Sequence, residues 1–247
     1  MKRNHMYGQH FLRNPAFVRR LIEKTSVSNE DTVYDVGAGT GVISSALAGV
    51  VAEVIAIEFD GQTAAKLKNN MRLFKNVRVY EGDFLSMDDL PKGAKVFANI
   101  PFHLSSRIVR KLSESVDPAT AIYIIVQKQF AQKIVLNNRH FTGALGMMLG
   151  PLYSAKIIKE LQRSDFMPRP NVDTVLLALE RRHVPLLALE QMNEYRSLVE
   201  QCYHDPKVFA KTPRKRCGID TTLRPSQLSL EQWVTLFKAT KLADRPR

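Results

Sequence analysis

Short apolar runs alternate with helical patterns between residues 32 and 126. Apolar positions at helical spacing predict helices over Val42 to Ala48 and Asp60 to Phe74. Five runs rich in β-branched and aromatic residues flank them, namely TVYDV, EVIAIE, VRVYE, KVFANI and TAIYIIV. Strands that alternate with helices predict a parallel sheet covered on both faces.

The two ends of the chain show other patterns. Asn14 and Pro15 have the preferences of a helix N-cap and first turn, before an apolar helix face. After residue 150, SAKIIKEL and TVLLALE predict two more strands, and their short connection QRSDFMPRPNVD favours an antiparallel pair. From about residue 183 the strand pattern ends, and Ser229 with Gln232 predicts a helix capping box. We therefore expect an α/β catalytic domain over residues 1–182 and a small helical, basic domain over residues 183–247.

A glycine-rich turn, VGAGTG, follows the first predicted strand and precedes a helix. Gly37, Gly39 and Gly41 let the backbone turn tightly and approach a ligand that side chains would keep away. Their GxGxG spacing differs from the GxGxxG fingerprint, which sets a helix N-terminus against a pyrophosphate. The turn therefore predicts a nucleotide-type ligand without a pyrophosphate.

Two carboxylates follow at strand ends, where a doubly wound sheet has its binding crevice. Glu58 ends the second run and can accept hydrogen bonds from both hydroxyls of a ribose. Asp83 follows the third run and can accept a bond from an adenine amino group. Either carboxylate alone would fit a solvated turn or a helix cap equally well. Together with the glycine turn, they indicate an adenosine-type ligand.

The fourth run ends in Asn99, Ile100, Pro101 and Phe102, which indicate chemistry on an exocyclic amine. The Asn99 side-chain oxygen and the Ile100 carbonyl can each accept one hydrogen of an adenine N6 amine and so localise its lone pair. Pro101 restricts the preceding residue to an extended conformation and fixes the direction of its carbonyl. Phe102 offers a flat face to an extruded adenine. The alternative is a strand that ends in a proline turn with a core Phe.

Lys and Arg number 36 against 24 Asp and Glu, and this surplus is consistent with a polyanionic partner. Each single basic cluster would fit a solvated helix face equally well. The clusters are Arg19 and Arg20; Arg107, Arg110 and Lys111; and Lys207, Lys211, Arg214, Lys215 and Arg216. No apolar run approaches the roughly 18 residues of a membrane span, and the N-terminus has no signal-peptide core. We therefore expect a cytoplasmic protein without a membrane partner, with Cys202 and Cys217 as free thiols.

Four motifs stand in order along the chain: GQHFLRNP, VGAGTG, NIPF and FMPRPNVDT. Over nearly its whole length, the chain resembles the ribosomal RNA adenine N6-methyltransferases, which include the Erm macrolide-resistance enzymes and the KsgA and Dim-type dimethyltransferases. The resemblance implies a Rossmann-like, seven-stranded methyltransferase sheet with an antiparallel last strand and a small C-terminal α-helical domain. It also implies S-adenosylmethionine as methyl donor, no metal and ribosomal RNA as partner.

The resemblance extends to individual residues. It implies that Gln9, His10 and Phe11 line the cofactor pocket and that Phe166 lies near the target base. The residues expected to bind the cofactor are Gln9, His10, Phe11, Asp35, Gly37, Ala38, Gly39, Gly41, Glu58, Phe59, Asp83, Phe84 and Asn99. Those expected to contact the base or the RNA are Phe102, Phe166, Arg107, Arg110, Lys207, Lys211, Arg214, Lys215 and Arg216. Two positions depart from the family, since Phe102 stands where Tyr is common and His10 where many members have Asn.

Within the family, NIPF in place of NLPY, the compact length and the segment SSRIVRKL look more like the Erm branch. That branch methylates one adenosine in the macrolide site of 23S rRNA and causes antibiotic resistance. The KsgA-like branch dimethylates two adjacent adenosines in a 16S hairpin. We expect 23S rRNA as substrate, with 16S rRNA as the alternative, and a monomer without an obligate protein partner.

Three other functions agree with parts of the sequence. A nicotinamide dehydrogenase would share the glycine turn and the ribose carboxylate, but NIPF would have no role in it. A noncatalytic nucleic-acid-binding protein on the same scaffold would not need Asn99 or the carboxylates. A DNA adenine methyltransferase would share the chemistry, but the sequence shows no target-recognition domain.

Overall fold

A computed structural model describes residues 11–136 and 142–243 of the chain, without the side chains of residues 11, 242 and 243. The strands within these ranges are β1 (Phe11–Leu12), β2 (Thr32–Val36), β3 (Glu53–Glu58), β4 (Val77–Glu81), β5 (Lys95–Asn99), β6 (Ala121–Gln127), β7 (Tyr153–Leu161), β8 (Phe166–Met167) and β9 (Thr174–Arg181). The helices are α1 (Pro15–Ile22), α2 (Val42–Ala48), α3 (Gly61–Met71), α4 (Ser105–Glu114), α5 (Lys128–Ile134), α6 (Ala144–Leu149), α7 (Met192–His204), α8 (Pro206–Lys211) and α9 (Leu230–Ala243).

Seven strands form one sheet in the order β4-β3-β2-β5-β6-β9-β7. Neighbours from β4 to β6 are parallel, whereas β9 runs antiparallel to β6, with Gln127 opposite Thr174. The predicted seven-stranded sheet with an antiparallel last strand is confirmed. Because β2 to β5 are parallel, their carboxyl ends meet at the same edge of the sheet. This edge carries the glycine turn, Glu58, Asp83 and Asn99.

The first helices begin where their local sequence predicts. The Asn14 side chain accepts a hydrogen bond from the amide of Ala16, and Pro15 occupies the first turn of α1. Asp60 caps α3 by accepting the amide of Thr63. The predicted extension of α3 to Phe74 is wrong, because the helix ends at Met71 and the chain then turns towards β4.

The chain divides into two compact units, and the seven-stranded sheet belongs largely to the first. The first unit contains the residues up to Ala131 together with Lys156–Glu180. Its hydrophobic core joins the buried face of α1 and α2 to the sheet through residues such as Val18, Phe97 and Tyr123. Tyr123 is also hydrogen bonded to Ser26 and Glu180, which satisfies its buried hydroxyl.

The second unit contains Gln132–Ala155 and the residues from Arg181 onward, and most of its ordered structure is helical. In this unit Tyr195 packs edge-on against Phe237 and donates to the carbonyl of Met147. The predicted capping box of α9 is confirmed, since Ser229 and Gln232 exchange hydrogen bonds. Cys202 and Cys217 are both free thiols, as predicted. The domain boundary at residues 182 and 183 stays a prediction.

Candidate active site

The glycine turn after β2 has a backbone that other residues rarely adopt. Gly37, Gly39 and Gly41 have φ angles of 72°, 59° and 95°. The amides of Gly37 and Ala38 both donate to the carbonyl of Ile57, at 2.8 and 3.0 Å. A Cβ atom on Gly41 would lie 2.8 Å from Cδ1 of a leucine in α3. The positive φ angles therefore favour glycine here, and a side chain at Gly41 would in addition displace the ends of side chains in α3.

The Glu58 carboxylate is buried beside this turn and held by backbone amides. Its Oε2 accepts the amide of Gly39 at 2.8 Å, and its Oε1 accepts the amide of Asp60 at 3.0 Å. Each oxygen retains a second lone pair, so the fixed carboxylate has the acceptor capacity that two ribose hydroxyls require. The ribose contact of Glu58 itself stays a prediction.

Asp35 lies fully buried below the turn and has one unsatisfied oxygen. Its Oδ2 accepts the Ser44 hydroxyl at 2.6 Å, whereas Oδ1 has no hydrogen-bond partner in the described part of the chain. Burial raises the pKa of Asp35 to about 7, against the effect of the Ser44 bonds and with a further increase from the charge of Glu58. Ser44 lies outside the motifs that the sequence offers. Its place in the first turn of α2, shortly after the glycine turn, was the available signal.

The NIPF sequence lies next to the glycine turn. Asn99 ends β5, Ile100 is buried, and Pro101 precedes a 3₁₀ turn that begins at Phe102. A Cβ atom on Gly37 would lie 3.8 Å from Cδ of Pro101. The two motifs therefore share one pocket, although Gly41 and Asn99 are 58 positions apart in the sequence. It is lined by Leu12, Gly37, Ala38, Thr40, Val42, Ile43 and Asn99.

Two other sequence motifs meet beside this pocket. The strand β1 pairs antiparallel with β8, so that Leu12 lies opposite Phe166, and Leu12 lines the pocket. The lead-in GQHFLRNP and the loop FMPRPNVDT are thus joined by backbone hydrogen bonds. The predicted cofactor residues Gln9 and His10 lie outside the described residues, and for Phe11 only the backbone is described.

The remaining predicted cofactor residues have different exposures. Phe59 directly follows Glu58 and is 75% exposed, so one face of its ring is available for stacking. Asp83 is exposed, and its oxygens accept the amide of the residue two positions on and the Ser86 hydroxyl. Phe84 is buried, and the Lys111 ammonium lies 5.6 Å from its ring centroid. Lys111 also donates to the carbonyl of Met87, so its charge is used within the fold.

Two residues that were predicted to contact the base or the RNA are buried. Phe166 lies fully buried in the core, and its place near the target base stays a prediction. Arg214 is buried as well, and it donates to the carbonyl of Thr221. Its guanidinium is therefore used inside the protein and does not face solvent. The other cations that were predicted to contact RNA are exposed or partly exposed, namely Arg107, Arg110, Lys207, Lys211, Lys215 and Arg216. Among these six, only Arg110 forms an ion pair within the described residues, and its partner is Glu114.

Within residues 11–136 and 142–243, no group of three His, Cys, Asp or Glu side chains is arranged to hold a metal ion. In the same ranges no helix is long and apolar enough to cross a membrane.

Relatives of known function resemble the whole chain. It is 29% identical to ribosomal RNA small subunit methyltransferase A of Streptococcus pneumoniae, over 95% of this chain and 91% of the relative. It is 27% identical to the rRNA adenine N-6-methyltransferase of Saccharopolyspora erythraea, over 98% of this chain and 66% of the relative. Among solved structures, the 23S rRNA methyltransferase ErmE matches with a TM-score of 0.79 and 26% identity, over 92% of this chain and 98% of that one.

A second solved structure, a dimethyladenosine transferase from Plasmodium falciparum, matches with a TM-score of 0.77, 21% identity and coverage of 94% and 98% of the two chains. At that identity it supports the fold alone. The family model for ribosomal RNA adenine dimethylase matches residues 1–207, which is most of the chain. The chain therefore belongs to the ribosomal RNA adenine dimethylase family and is an S-adenosylmethionine-dependent rRNA adenine methyltransferase.

Proposed function

We propose that the protein transfers a methyl group from S-adenosylmethionine to N6 of one adenosine in 23S rRNA, as Erm-type resistance enzymes do. The observation that carries this proposal is the sequence Asn99-Ile100-Pro101-Phe102 at the carboxyl end of β5, with Phe in place of the Tyr common in the family. The match to ErmE supports it, since nearly the whole of that 23S rRNA methyltransferase is covered.

The residues at the sheet edge fit S-adenosylmethionine. The glycine turn lines the pocket with Gly37 and Ala38, and Glu58 offers two fixed acceptor oxygens for a ribose. The unsatisfied oxygen of Asp35 marks a second buried acceptor below the same turn. Phe59 presents an exposed ring where an adenine requires an apolar surface. When bound, S-adenosylmethionine supplies a methyl group on a positively charged sulfonium, which is already an activated leaving group.

In the proposed mechanism, Asn99 and Ile100 act on the target amine. The Asn99 side-chain oxygen and the Ile100 carbonyl each accept one N6 hydrogen, which draws the amine towards a tetrahedral shape and localises its lone pair. Pro101 fixes the direction of the Ile100 carbonyl, and Phe102 stacks on the extruded adenine. The methylated amine loses its extra proton readily to water. Catalysis is then mostly positioning, which contributes up to about 7–11 kcal/mol in well-aligned intramolecular reactions.

The test is methyl transfer from labelled S-adenosylmethionine to protein-free 23S rRNA and, in parallel, to 30S subunits. Nuclease digestion and mass spectrometry locate the modified adenosine whether it carries one methyl group or two, and Asn99→Ala serves as the low-activity control. We expect label in 23S rRNA at the macrolide site and increased macrolide tolerance in a sensitive host that expresses the protein. Label confined to 16S rRNA would contradict the proposal.

A second candidate is dimethylation of 16S rRNA. The observation in its favour is that several curated relatives are named ribosomal RNA small subunit methyltransferase A, and the chain covers 91% of the length of the pneumococcal protein. The same experiment separates the two candidates, because this function predicts paired modified adenosines near the 16S 3′ end and no macrolide tolerance.

A further inference from the structure

Arg214 lies in the most basic stretch of the chain, yet its own charge points inward. The residue is only 7% exposed, and its Nη1 lies 2.8 Å from the carbonyl oxygen of Thr221 and 3.4 Å from that of Leu223. The guanidinium carbon lies 4.2 Å from the ring centroid of Phe209. A planar guanidinium combines these two contacts in a way that a lysine ammonium does not. Arg214 therefore joins α8 to the segment that follows it.

The backbone around Arg214 forms a closed turn. Its carbonyl accepts the amides of Cys217 and Ile219, each at 3.0 Å. Gly218 lies between them with a φ of 67°, and a Cβ atom added to it would meet nothing within 4 Å. The glycine is thus required by conformation and not by space. The buried Arg214 side chain and the positive φ angle of Gly218 together hold the 3₁₀ turn Lys215–Cys217 in place.

The exposed side of this segment carries a surplus of cations. Residues 205–224 contain six Lys and Arg against two Asp, a surplus of four positive charges. Asp205 accepts the amide of Lys207, and Asp220 accepts the amide and hydroxyl of Thr222. The part of the chain that the structure describes contains no ion pair to any of five exposed cations, which are Lys207, Lys211, Lys215, Arg216 and Arg224.

We propose that residues 205–224 form a docking loop for the phosphate backbone of ribosomal RNA, and that Arg214 is the positioning residue of this loop. The inference rests on the proposed function in requiring an rRNA substrate, but not on which rRNA is methylated. Cations that contact phosphates release condensed counterions, so affinity depends steeply on salt. A turn that is already ordered presents Lys215 and Arg216 to the RNA with little further loss of conformational entropy.

The experiment measures equilibrium binding to protein-free 23S and 16S rRNA over a series of KCl concentrations, together with kcat and the KM for RNA. The double variant Lys215→Gln/Arg216→Gln removes two surface charges. Arg214→Lys and Gly218→Val keep every charge but disturb the turn. The control is Lys238→Gln, an exposed cation on α9 outside the loop.

We expect the double variant to reduce the slope of log K against log[KCl] by about 1.4, since each lost contact with single-stranded RNA removes about 0.7. Arg214→Lys and Gly218→Val should reduce the slope at least as much and raise the KM for RNA at unchanged kcat, whereas Lys238→Gln should keep the wild-type slope. A wild-type slope in the double variant would overturn the docking loop.

A wild-type slope in Arg214→Lys would show that this position needs only a positive charge, and it would overturn the positioning role. Should Arg214→Lys not fold, Gly218→Val takes its place, and a wild-type slope there would show that docking does not need the ordered turn, which also overturns the positioning role. Contacts between cations and the RNA phosphate backbone do not depend on the RNA sequence, so the loop variants should change the affinity for both RNAs alike. A failure of the 23S proposal changes only which RNA is methylated and leaves these slopes as they are.

Discussion

Glu58 and Gly39 are joined by a hydrogen bond of 2.8 Å between Oε2 and the backbone amide, which ties the end of β3 to the glycine turn. The second carboxylate oxygen accepts the amide of Asp60, so both oxygens are fixed from the protein side. The turn and the proposed ribose acceptor are therefore one rigid unit, and their effects on cofactor binding are coupled.

Glu58→Gln should raise the Kd for S-adenosylmethionine at least about tenfold, because the amide replaces one of the two acceptor oxygens with a donor and so loses a hydrogen bond between a ribose hydroxyl and a charged group, which contributes about 1.5–3 kcal/mol. Isothermal titration calorimetry measures the change. Glu81→Gln is the matched control, since Glu81 lies opposite Glu58 on β4 but is exposed. Equal affinity of wild type and Glu58→Gln would refute the assigned role.

Asn99→Ala should lower kcat at least about tenfold with nearly unchanged cofactor affinity, because the Asn99 bond to the amine gains strength mainly in the transition state. Steady-state kinetics on rRNA and calorimetry with S-adenosylmethionine separate the two quantities. Asn69→Ala, on the exposed face of α3, controls for the loss of an amide. A variant with wild-type turnover would exclude Asn99 from the chemistry.

Phe102→Tyr should keep activity, whereas Phe102→Ala should lose about fivefold to 150-fold in kcat/KM, because stacking on a base contributes about 1–3 kcal/mol. The measurement is methyl transfer at limiting RNA concentration. If all three proteins are equally active, stacking on Phe102 has no part in catalysis.

Asp35→Asn should change how stability depends on pH. The folded protein binds a proton at Asp35 with a pKa of about 7, whereas the unfolded chain releases it near 3.8. The folded state therefore binds more protons between these values, and wild-type stability falls relative to the variant as pH rises, by about 1.4 kcal/mol per pH unit, and becomes constant above about pH 7.

Urea unfolding of both proteins between about pH 5 and about pH 8 measures this difference. Asp60→Asn is the control, because hydrogen bonds from Thr63 lower the pKa of Asp60. The contribution of Asp60 to folding stability is therefore lost only when the pH falls below the pKa of an ordinary carboxyl group, which is outside the range measured. Parallel curves for wild type and Asp35→Asn would show that Asp35 does not hold a proton in this range.

The strands were predictable because burial on both faces of a parallel sheet demands apolar runs, as in AIYIIVQ of β6. The location of Glu58 and Asn99 at one edge of the sheet was also predictable, because parallel strands end at the same edge. The exact end of α3 was not, because Leu73 and Phe74 continue the apolar pattern although the backbone has already left the helix.

The inward orientation of Arg214 could not be predicted from the sequence. In the run PRKR the three cations look alike, and only the tertiary position of Phe209 and of the Thr221 carbonyl distinguishes the first from the others. The burial of Phe166 has the same origin, because an aromatic residue within a polar, proline-rich loop gives no sign that its partner strand lies at the start of the chain.

The pairing of β1 with β8 also has a consequence for folding kinetics. Leu12 and Phe166 are about 150 positions apart, so their contact closes one of the longest loops in the first unit. During synthesis, the side of the pocket that Leu12 lines cannot form until the segment around Phe166 has left the ribosome. Cofactor binding by a growing chain would therefore begin late, after the parallel strands are complete.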